Sequence, residues 1–313
     1  MKLENLYYGI VDGVKIPDGF YYVGGTRNSG LVISDNQNDE NKYKGESIVG
    51  TDLQGNQYVW IPVDNISDYK RVAYSTNYAT GQLDDETNSE KIKYVITNVN
   101  YFIEALPEDE KVSVETYHGY YIGRYEAGDK ESTANQKMRK NRASTSNTVT
   151  VKKGQAPYNY VTKTQAQRLA EGVKTERGYK VTTKLCSSYA WDTAIAFIQK
   201  TNSDYGDSSE EGNFLNTTFD YTDITGAPAT KNKLIAKLVP TGQTTPVCNI
   251  YDMGGNTFEW TTESYGVITA PYTTRGGSFG YYYGINPSGS RGNFADFSSV
   301  ENSFRVALFM WKY

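Results

Sequence analysis

The sequence contains few of the residues that most catalytic and metal sites use. It has one histidine, His118, and two cysteines in 313 residues. A site built from several histidines is therefore excluded, and so is a disulfide framework. We expect His118 to be a structural residue on a strand. Cys186 and Cys248 lie far apart in the chain, so we expect two separate buried thiols, with a single bridge between them as the alternative.

A strong net charge is also missing. The 32 lysines and arginines nearly balance the 36 acidic residues, which gives a net charge of −4 and leaves no basic field to attract nucleic acid or an anionic membrane. No apolar stretch approaches the length that spans a bilayer, and the N-terminal residues lack the apolar core of a signal peptide. We therefore expect a soluble chain that binds no nucleic acid, inserts into no membrane and has no signal peptide.

Motifs for catalysis are absent as well. The glycine-rich segment GGSFG (276–280) has neither the GxGxxG spacing nor the Lys-Ser/Thr pair of a phosphate-binding loop. The acidic run of Glu108, Asp109 and Glu110 is interpreted as a solvated loop. Neither cysteine has a sequence neighbour of the kind that activates a thiolate nucleophile. The sequence predicts no catalytic residue.

Short strands separated by turn residues make up most of the chain. Residues 56–63 read as the strongest apolar strand, and residues 117–128 alternate between polar and apolar side chains as a half-buried strand does. Two polar stretches are interpreted differently. Residues 129–156 are expected to form an exposed excursion, and residues 219–242 are expected to be irregular.

Two helices are predicted among these strands. The first begins at Thr162, which forms a capping box with Gln165, and ends at Gly172. The second runs from about Ser188 to Lys200, with its apolar residues on one face at helical spacing. Two helices embedded in many short strands predict an α+β domain.

One acidic pair differs from the solvated acids. In YDMGGNTFEW (251–260), Asp252 and Glu259 flank a Gly-Gly turn. In one interpretation their carboxylates and nearby backbone carbonyls converge on a calcium ion, which favours such oxygen ligands. In the other, both carboxylates accept hydrogen bonds from backbone amides in a tight turn, and the spacing alone favours this second interpretation.

Six segments resemble a known family in their order and approximate spacing. They are YVWIPV (58–63), YYIGRYEAG (120–128), SYAWDTAIAFI (188–198), YDMGGNTFEW (251–260), RGGSF (275–279) and NSFRVAL (302–308). Together they are similar to the formylglycine-generating-enzyme (sulfatase-modifying-factor) family, which has a C-type-lectin-like fold and includes the variable proteins of diversity-generating retroelements. The chain departs from this family at Phe258 and Phe279, where Trp is commoner, and at Ser303, where Gly is commoner.

The resemblance implies a domain organisation, and it shows which catalytic residues of the family this chain lacks. It covers about residues 50–313, which implies a C-type-lectin-like domain at 51–313 after an N-terminal strand or attachment segment at 1–50. The sulfatase-modifying enzymes hold copper with a cysteine pair after the segment that matches RGGSF, and the related sulfoxide synthases need several histidines. This chain has no cysteine in residues 275–313 and one histidine in all. The resemblance therefore implies neither a redox cofactor nor an enzyme.

The resemblance also favours a structural calcium ion. In the family, calcium is held by residues that match Asp252 and Glu259 through their side chains and by residues that match Gly255 and Thr257 through their carbonyls. This match supports the calcium interpretation of the acidic pair.

Residues of about 275–305 have the composition of a binding loop. They are rich in Tyr, Ser, Gly and Asn, which antibody loops also use. The matching segment of the retroelement variable proteins is a solvent-facing ligand surface. Three adjacent tyrosines in an extended segment cannot all face inward, because side chains alternate between faces; burial against the domain is the alternative for any single one. The predicted contact residues are Tyr281, Tyr282, Tyr283, Asn286, Ser288, Asn293, Phe294, Asp296, Phe297 and Ser298. Arg291 and Arg305 are interpreted as structural.

These features predict a non-catalytic protein that binds a macromolecular ligand. The ligand is expected to be a protein rather than a glycan, because the Glu-Pro-Asn signature of calcium-dependent lectins is absent. The family resemblance places the protein on a phage tail or a bacterial cell surface, where residues 1–50 attach or oligomerise the domain. Two alternatives stay open: a copper oxidase that modifies protein cysteines, and a fixed structural protein of a virion or surface.

Overall fold

The computed structural model describes residues 7–45, 48, 52–72, 102–130, 149–206, 211–266, 268–282 and 288–311. Its helices are α1 (Glu108–Tyr117), α2 (Lys163–Arg177) and α3 (Ser188–Gln199). Its strands are β1 (Tyr7–Val11), β2 (Val14–Pro17), β3 (Tyr21–Gly25), β4 (Val32–Ser34), β5 (Tyr43–Lys44), β6 (Gln57–Pro62), β7 (Phe102–Ile103), β8 (Gly119–Gly123), β9 (Gly128–Asp129), β10 (Val149–Thr150), β11 (Ala156–Pro157), β12 (Val181–Leu185), β13 (Phe219–Thr222), β14 (Pro228–Lys231), β15 (Phe258–Tyr265), β16 (Tyr272–Arg275), β17 (Arg291–Phe294), β18 (Asn302–Phe304) and β19 (Val306–Met310).

Two sheets form the framework. The larger has seven strands in the order β12-β19-β8-β6-β4-β3-β5, and all of its pairs are antiparallel except β3 with β5. The smaller has five strands in the order β17-β16-β15-β18, with β7 also paired to β15. Strands β18 and β19 follow each other along the chain, so one short segment joins the two sheets. The predicted α+β class is confirmed.

The seven-stranded sheet is buried on both faces. Tyr58 and Trp60 of β6 belong to one hydrophobic cluster together with apolar residues of α2. Val59 and Ile61 of the same strand belong to the other cluster, together with apolar residues of α3. Successive side chains of a strand point to opposite faces, so a continuous apolar run is what a sheet covered on both sides requires.

Helix α2 shows what the sequence specified and what it did not. The predicted capping box is present, because the Thr162 hydroxyl accepts from the Gln165 amide and the Gln165 side chain accepts from the Thr162 amide. The predicted end at Gly172 is wrong. The helix continues to Arg177 because Val173 packs in the core one turn after Leu169. It ends at Gly178, whose φ of 69° is left-handed. Helix α3 confirms the second predicted helix.

The acidic run 108–110 is not a solvated loop, and this prediction was wrong. It forms the first turn of α1, where acidic side chains are favoured by the helix dipole. Glu110 is fully buried and accepts hydrogen bonds from Tyr69 Oη at 2.6 Å and Ser187 Oγ at 2.7 Å. His118 lies not on a strand but at the C-cap of α1, with φ 59°.

Two segments expected to be polar loops contain strands. Residues 149–156 lie inside the expected exposed excursion, but β10 and β11 pair with β9, and Val149, Val151 and Ala156 are buried. Residues 131–148 of that excursion lie outside the described residues. In the segment expected to be irregular, β13 and β14 form an antiparallel hairpin.

The first fifty residues contribute to the main sheet. Strands β3, β4 and β5 all precede residue 50, and β4 pairs directly with β6 in an antiparallel register. The boundary at residue 50 therefore does not separate two sheets, while the attachment role of residues 1–50 stays a prediction. Cys186 and Cys248 are separate free thiols, as expected, but only Cys186 is buried, and Cys248 is half-buried. Among the described residues, no helix combines the length and the apolar character that crossing a membrane requires.

Candidate ligand-binding site

Strand β15 supplies the base of the candidate site. Phe258 and Trp260 are two residues apart, so they point to the same face of the strand, and both are buried. The Trp260 indole donates a hydrogen bond to the Val161 carbonyl at 3.0 Å. Phe294 of β17 packs against both rings, with centroid distances of 5.7 Å to Phe258 and 6.1 Å to Trp260. These contacts fix three aromatic rings beneath the surface.

Further aromatic rings extend from this base to solvent. Tyr281 packs edge-on against Phe258 at 5.3 Å, and Phe297 packs edge-on against Phe294 at 5.5 Å. Tyr281, Tyr282 and Phe297 are exposed by 40%, 41% and 41%. Offset and edge-to-face contacts of this kind hold an aromatic ring in a defined position. Tyr281 and Phe297 therefore present apolar area that is partly immobilised before any ligand arrives.

Polar side chains lie beside these rings. Asn293, Asp296 and Ser298 are exposed. The Asp296 carboxylate accepts hydrogen bonds from the Thr164 hydroxyl at 2.8 Å and from the Thr164 amide at 3.3 Å, which ties it to the first turn of α2. A surface that combines half-exposed rings with short polar groups can bury apolar area and still satisfy a partner's hydrogen bonds.

The structure brings most of the predicted contact residues to one region. Tyr281, Tyr282, Asn293, Asp296, Phe297 and Ser298 are exposed, whereas Phe294 is half-buried in the base. Tyr283 and Asn286 lie outside the described residues. Ser288 is buried, so it does not face a ligand. The sequence prediction missed Phe258 and Trp260 as the base, although their alternation in FEW was a signal for it.

Ser288 is buried because buried side chains bind the backbone of residues 288–290, which we refer to as the anchor segment. The Trp191 indole donates to the Ser288 carbonyl at 2.9 Å. The Arg275 guanidinium donates to the carbonyls of Gly289 at 2.9 Å and Ser290 at 2.8 Å. Buried donors thus bind three successive carbonyls, and this fixes the point where the chain returns from the tyrosine segment to β17.

A buried ionic network supports the same anchor segment. The Asp192 carboxylate pairs with Arg275 through one oxygen and with Arg291 at 2.6 Å through the other. Glu263 pairs with Arg291 at 2.9 Å and with Arg71 at 3.0 Å. Burial alone would raise the pKa of Glu263, but Arg291 and Arg275 hold that pKa below its usual value. The predicted structural role of Arg291 is confirmed.

The predicted calcium ligands lie in a region of buried acids. Both oxygens of Glu259 already accept hydrogen bonds from Arg305, at 2.6 Å and 3.0 Å, which confirms the structural role of that arginine. Asp252 accepts from the Gly242 amide at 2.7 Å.

Gly255 and Thr257 were predicted to bind through their carbonyls, and the two hydrogen bonds that follow involve other atoms of these residues. The Gly255 amide donates to the Gly276 carbonyl at 2.7 Å, and the Thr257 hydroxyl donates to the Glu126 carboxylate. Within the described ranges, no group of three or more acidic, histidine or cysteine side chains is placed to hold a metal ion. A Glu259 carboxylate bound bidentately by Arg305 does not fit a calcium ligand, and the calcium site stays a prediction.

Burial raises the pKa values of these acids. The pKa of Asp252 is raised to about 6 and that of Glu259 to about 7, because burial disfavours the charged form more than Arg305 favours it. The pKa of Glu126 is also raised, by burial first and then by the charges of Asp252 and Glu259. Three buried carboxyl groups therefore compete to be the charged partner of one arginine.

These acids predict that stability falls as pH rises. Below about pH 3 both the folded and the unfolded chain hold these protons, but between the ordinary pKa of Asp252, 3.8, and its native value of about 6, only the folded chain does. The free energy of unfolding should therefore fall by about 1–3 kcal/mol over that interval. Thermal unfolding from pH 4 to pH 8 measures the slope. The variant Glu126→Gln, which imitates the protonated acid, should give a flatter profile, and a slope identical to wild type would refute the part assigned to Glu126.

Comparisons with known proteins give no relative in sequence. No family model matches the chain, and no curated protein matches it. Among solved structures it is similar to CarF (16% identity, TM-score 0.42, covering 62% of this chain and 87% of that one). It is also similar to Treponema denticola variable protein 1 (14%, 0.38, 61% and 84%) and to PvdO from Pseudomonas aeruginosa (16%, 0.43, 85% and 100%). The likeness is to proteins of the C-type-lectin-like fold, the fold that the sequence resemblance implies, but at TM-scores below 0.5 it carries no argument about function.

Proposed function

We propose that this chain is a non-catalytic protein that binds a macromolecular ligand through an exposed aromatic surface. That surface consists of Tyr281, Tyr282, Asn293, Phe297 and Ser298. One observation carries the proposal: Tyr281 and Phe297 are each about 40% exposed, and they pack on the rings of Phe258 and Phe294, which contact each other.

Side chains of the aromatic surface are ordered before a ligand binds, which reduces the free-energy cost of binding. Binding loses affinity when side chains must be ordered, at about 0.5–1.5 kcal/mol for each flexible side chain. Tyr281 and Phe297 are already positioned by ring contacts, and the segment 288–290 beneath them is bound by buried donors. Tyrosine and phenylalanine supply large contact area with only two side-chain torsions each. The surface therefore offers a rigid apolar centre with polar groups at its margin.

The composition and the family resemblance support a finer proposal. We infer that the ligand is a protein on a cell or phage surface, that the chain acts in receptor binding or surface display, and that a retroelement diversifies residues 275–305. A reverse-transcriptase gene next to the coding locus, with an imperfect copy of the region that encodes residues 275–310, is the genomic arrangement expected. A locus without both would leave a fixed binding or structural role.

An oxidase is the weaker candidate. Burial raises the pKa of the Cys186 thiol well above its usual value, and burial also raises that of Cys248. Both thiols therefore stay protonated at neutral pH, whereas a nucleophile or a copper ligand needs the thiolate. The two cysteines are not bonded to each other. Arg305 near Cys186, and Thr201 and Lys200 near Cys248, favour the thiolate, but burial outweighs them.

Randomising the aromatic surface tests the proposal. A displayed library varied at Tyr281, Tyr282, Asn293, Phe297 and Ser298 should yield binders to two unrelated proteins, lysozyme and streptavidin, with Kd of about 1 μM or better. Most members should unfold within about 4 °C of wild type, because these positions lie outside the core. Affinity is measured by surface plasmon resonance and unfolding by scanning fluorimetry.

A second library serves as the control. It is varied at five positions in α1 and at its C-cap: Glu108, Asp109, Lys111, Glu115 and His118. A helix surface of charged and polar residues lacks a preorganised aromatic centre, so this library should yield no binder in the micromolar range. Equal yields from the two libraries, or general unfolding of the first, would show that the aromatic surface has no special capacity for ligands.

A further inference from the structure

A second exposed apolar group lies next to the aromatic surface. Residues 232–237, Asn-Lys-Leu-Ile-Ala-Lys, are all exposed, and we refer to them as the lysine-flanked loop. Leu234 and Ile235 in its centre are exposed by 59% and 54%. Single exposed apolar residues are common on protein surfaces, but two adjacent ones in a fixed loop near a candidate binding surface indicate an interaction site.

The loop is held in one conformation by its backbone. The Leu234 amide donates to the Leu215 carbonyl at 2.7 Å, and the Ile235 amide donates to the Asn232 carbonyl at 3.2 Å. The Lys233 amide donates to the Thr218 hydroxyl at 2.9 Å. Leu234 has φ 66°, a left-handed conformation that costs a residue with a side chain about 1–2 kcal/mol. The fold therefore holds Leu234 in a backbone conformation that leucine disfavours, with its side chain exposed.

A buried lysine ties the start of the loop to the neighbouring segment. The Lys231 side chain is fully buried, and its ammonium group donates to the carbonyls of Phe214, Thr217 at 2.8 Å and Leu215 at 3.3 Å. Three carbonyl acceptors satisfy the three donors of a lysine. This bonding joins the end of β14 to residues 214–217 and fixes the position from which the loop departs.

The same segment connects the loop to the aromatic surface. Leu215 accepts from the Leu234 amide on one side, and its own amide donates to the Tyr281 carbonyl at 2.8 Å on the other. Residue 215 thus lies between Leu234 and Tyr281, with a direct backbone hydrogen bond to each. The backbones of Leu234 and Tyr281 are therefore neighbours on either side of residue 215.

The positive charges of Lys233 and Lys237 favour a partner with acidic groups. Lys233 and Lys237 flank the apolar pair, and within the described ranges neither of them forms an ion pair. The Lys237 ammonium lies over the Tyr221 ring at 5.3 Å. A partner that covers Leu234 and Ile235 therefore meets two positive charges at the edge of the contact, one of which, Lys237, also interacts electrostatically with Asp223; acidic groups are favoured there.

We propose that the lysine-flanked loop extends the ligand-binding surface, and that the ligand is a protein segment with apolar side chains next to aspartate or glutamate. The proposal rests on the function proposed above. Leucine and isoleucine have no hydrogen-bonding group and no aromatic face, so they contribute little to binding a hydroxyl-rich glycan but favour apolar protein side chains. The loop thus favours a protein ligand over a glycan by its own chemistry.

Selection from a random peptide library tests the proposal. A phage-displayed 12-residue library is panned on the full immobilised chain, and the enriched peptides are sequenced and synthesised. Enriched peptides should combine apolar residues with Asp or Glu. Their affinity should fall at least about tenfold for the double variant Leu234→Asp, Ile235→Asp. Aspartate tolerates the left-handed conformation at position 234, so this variant should fold.

Two further variants separate the contributions. Lys233→Glu together with Lys237→Glu keeps the apolar pair but should weaken the acidic peptides. Ile268→Asp, at an isoleucine that is 94% exposed and lies between β15 and β16 rather than in the lysine-flanked loop, is the matched control and should bind like wild type. Circular dichroism of each variant confirms folding before binding is measured.

Each outcome decides between the two proposals. Loss of binding with both the loop variants and Tyr281→Ala supports a joint surface. Peptides that depend on Tyr281 and Phe297 but not on the loop would overturn the extension and leave the proposed function intact. Peptides that depend on the loop alone would show binding at the loop and would overturn the proposed role of the aromatic surface. Enriched peptides without acidic residues would overturn the proposed partner chemistry.

Discussion

Replacing Asp192 with alanine is expected to destabilise the protein by about 3–5 kcal/mol. Asp192 is fully buried and neutralises both Arg275 and Arg291, one with each carboxylate oxygen. Without it, two guanidinium groups stay in the interior with Glu263 as their nearest carboxylate, and buried charges that lose their partner are among the most damaging changes in proteins. Urea unfolding followed by tryptophan fluorescence measures the loss.

The matched control for this prediction is an exposed ion pair. Asp18 pairs with Lys180 at the surface, with side chains that are 37% and 53% exposed, so Asp18→Ala should change the free energy of unfolding by less than about 1 kcal/mol. Asp192→Ala should also weaken binding at the aromatic surface, because Arg275 positions residues 289 and 290. A loss as small as that of Asp18→Ala would show that the network does not stabilise the fold.

The second large effect is expected at Glu259. Glu259→Ala should cost about 3–5 kcal/mol, since it leaves Arg305 buried without the carboxylate that accepts two of its hydrogen bonds. Combining it with Arg305→Met should cost less than the sum of the two single changes, because the double variant contains neither charge of the pair. Chemical unfolding of all four proteins completes the cycle, and simple additivity would contradict a direct pair.

The same variant separates an ion pair from a calcium ligand. If Arg305 is the partner of Glu259, titration calorimetry of wild type with calcium should give no binding heat, and a chelator should leave the Tm unchanged. A calcium heat that disappears in Glu259→Ala would instead establish the cation site that the family resemblance implies.

The sequence specified those elements whose signals are local. The capping box at Thr162 and the apolar face of α3 each lie within four residues of their partners, and both were predicted correctly. Burial of Glu110 in the first turn of α1 was not foreseeable in this way. The partners of Glu110 are Tyr69 and Ser187, 41 and 77 positions away, and no local pattern indicates them.

The candidate site shows the same division. Alternation of side chains in an extended segment predicted that at least one tyrosine of the 281–283 run faces outward. Tyr281 and Tyr282 are each about 40% exposed, but they lie in no strand, and Tyr283 lies outside the described residues. The inward turn at Ser288 depends on Trp191, 97 positions earlier in the chain, and composition cannot distinguish an anchoring serine from a contact serine. Leu234 was missed for a related reason: its exposure is imposed by backbone bonds to residue 215 and by the buried ammonium of Lys231.

Asp192 forms ion pairs with both Arg275 and Arg291. The two arginines stand at the beginning and the end of the tyrosine segment, so a single carboxylate closes the base of that excursion. Once the ends of a loop are fixed, doubling its length costs only about 0.6 kcal/mol of closure entropy. Insertions and deletions between Arg275 and Arg291 therefore change the closure entropy little. Descendants of this protein can vary the length of the segment as well as its sequence.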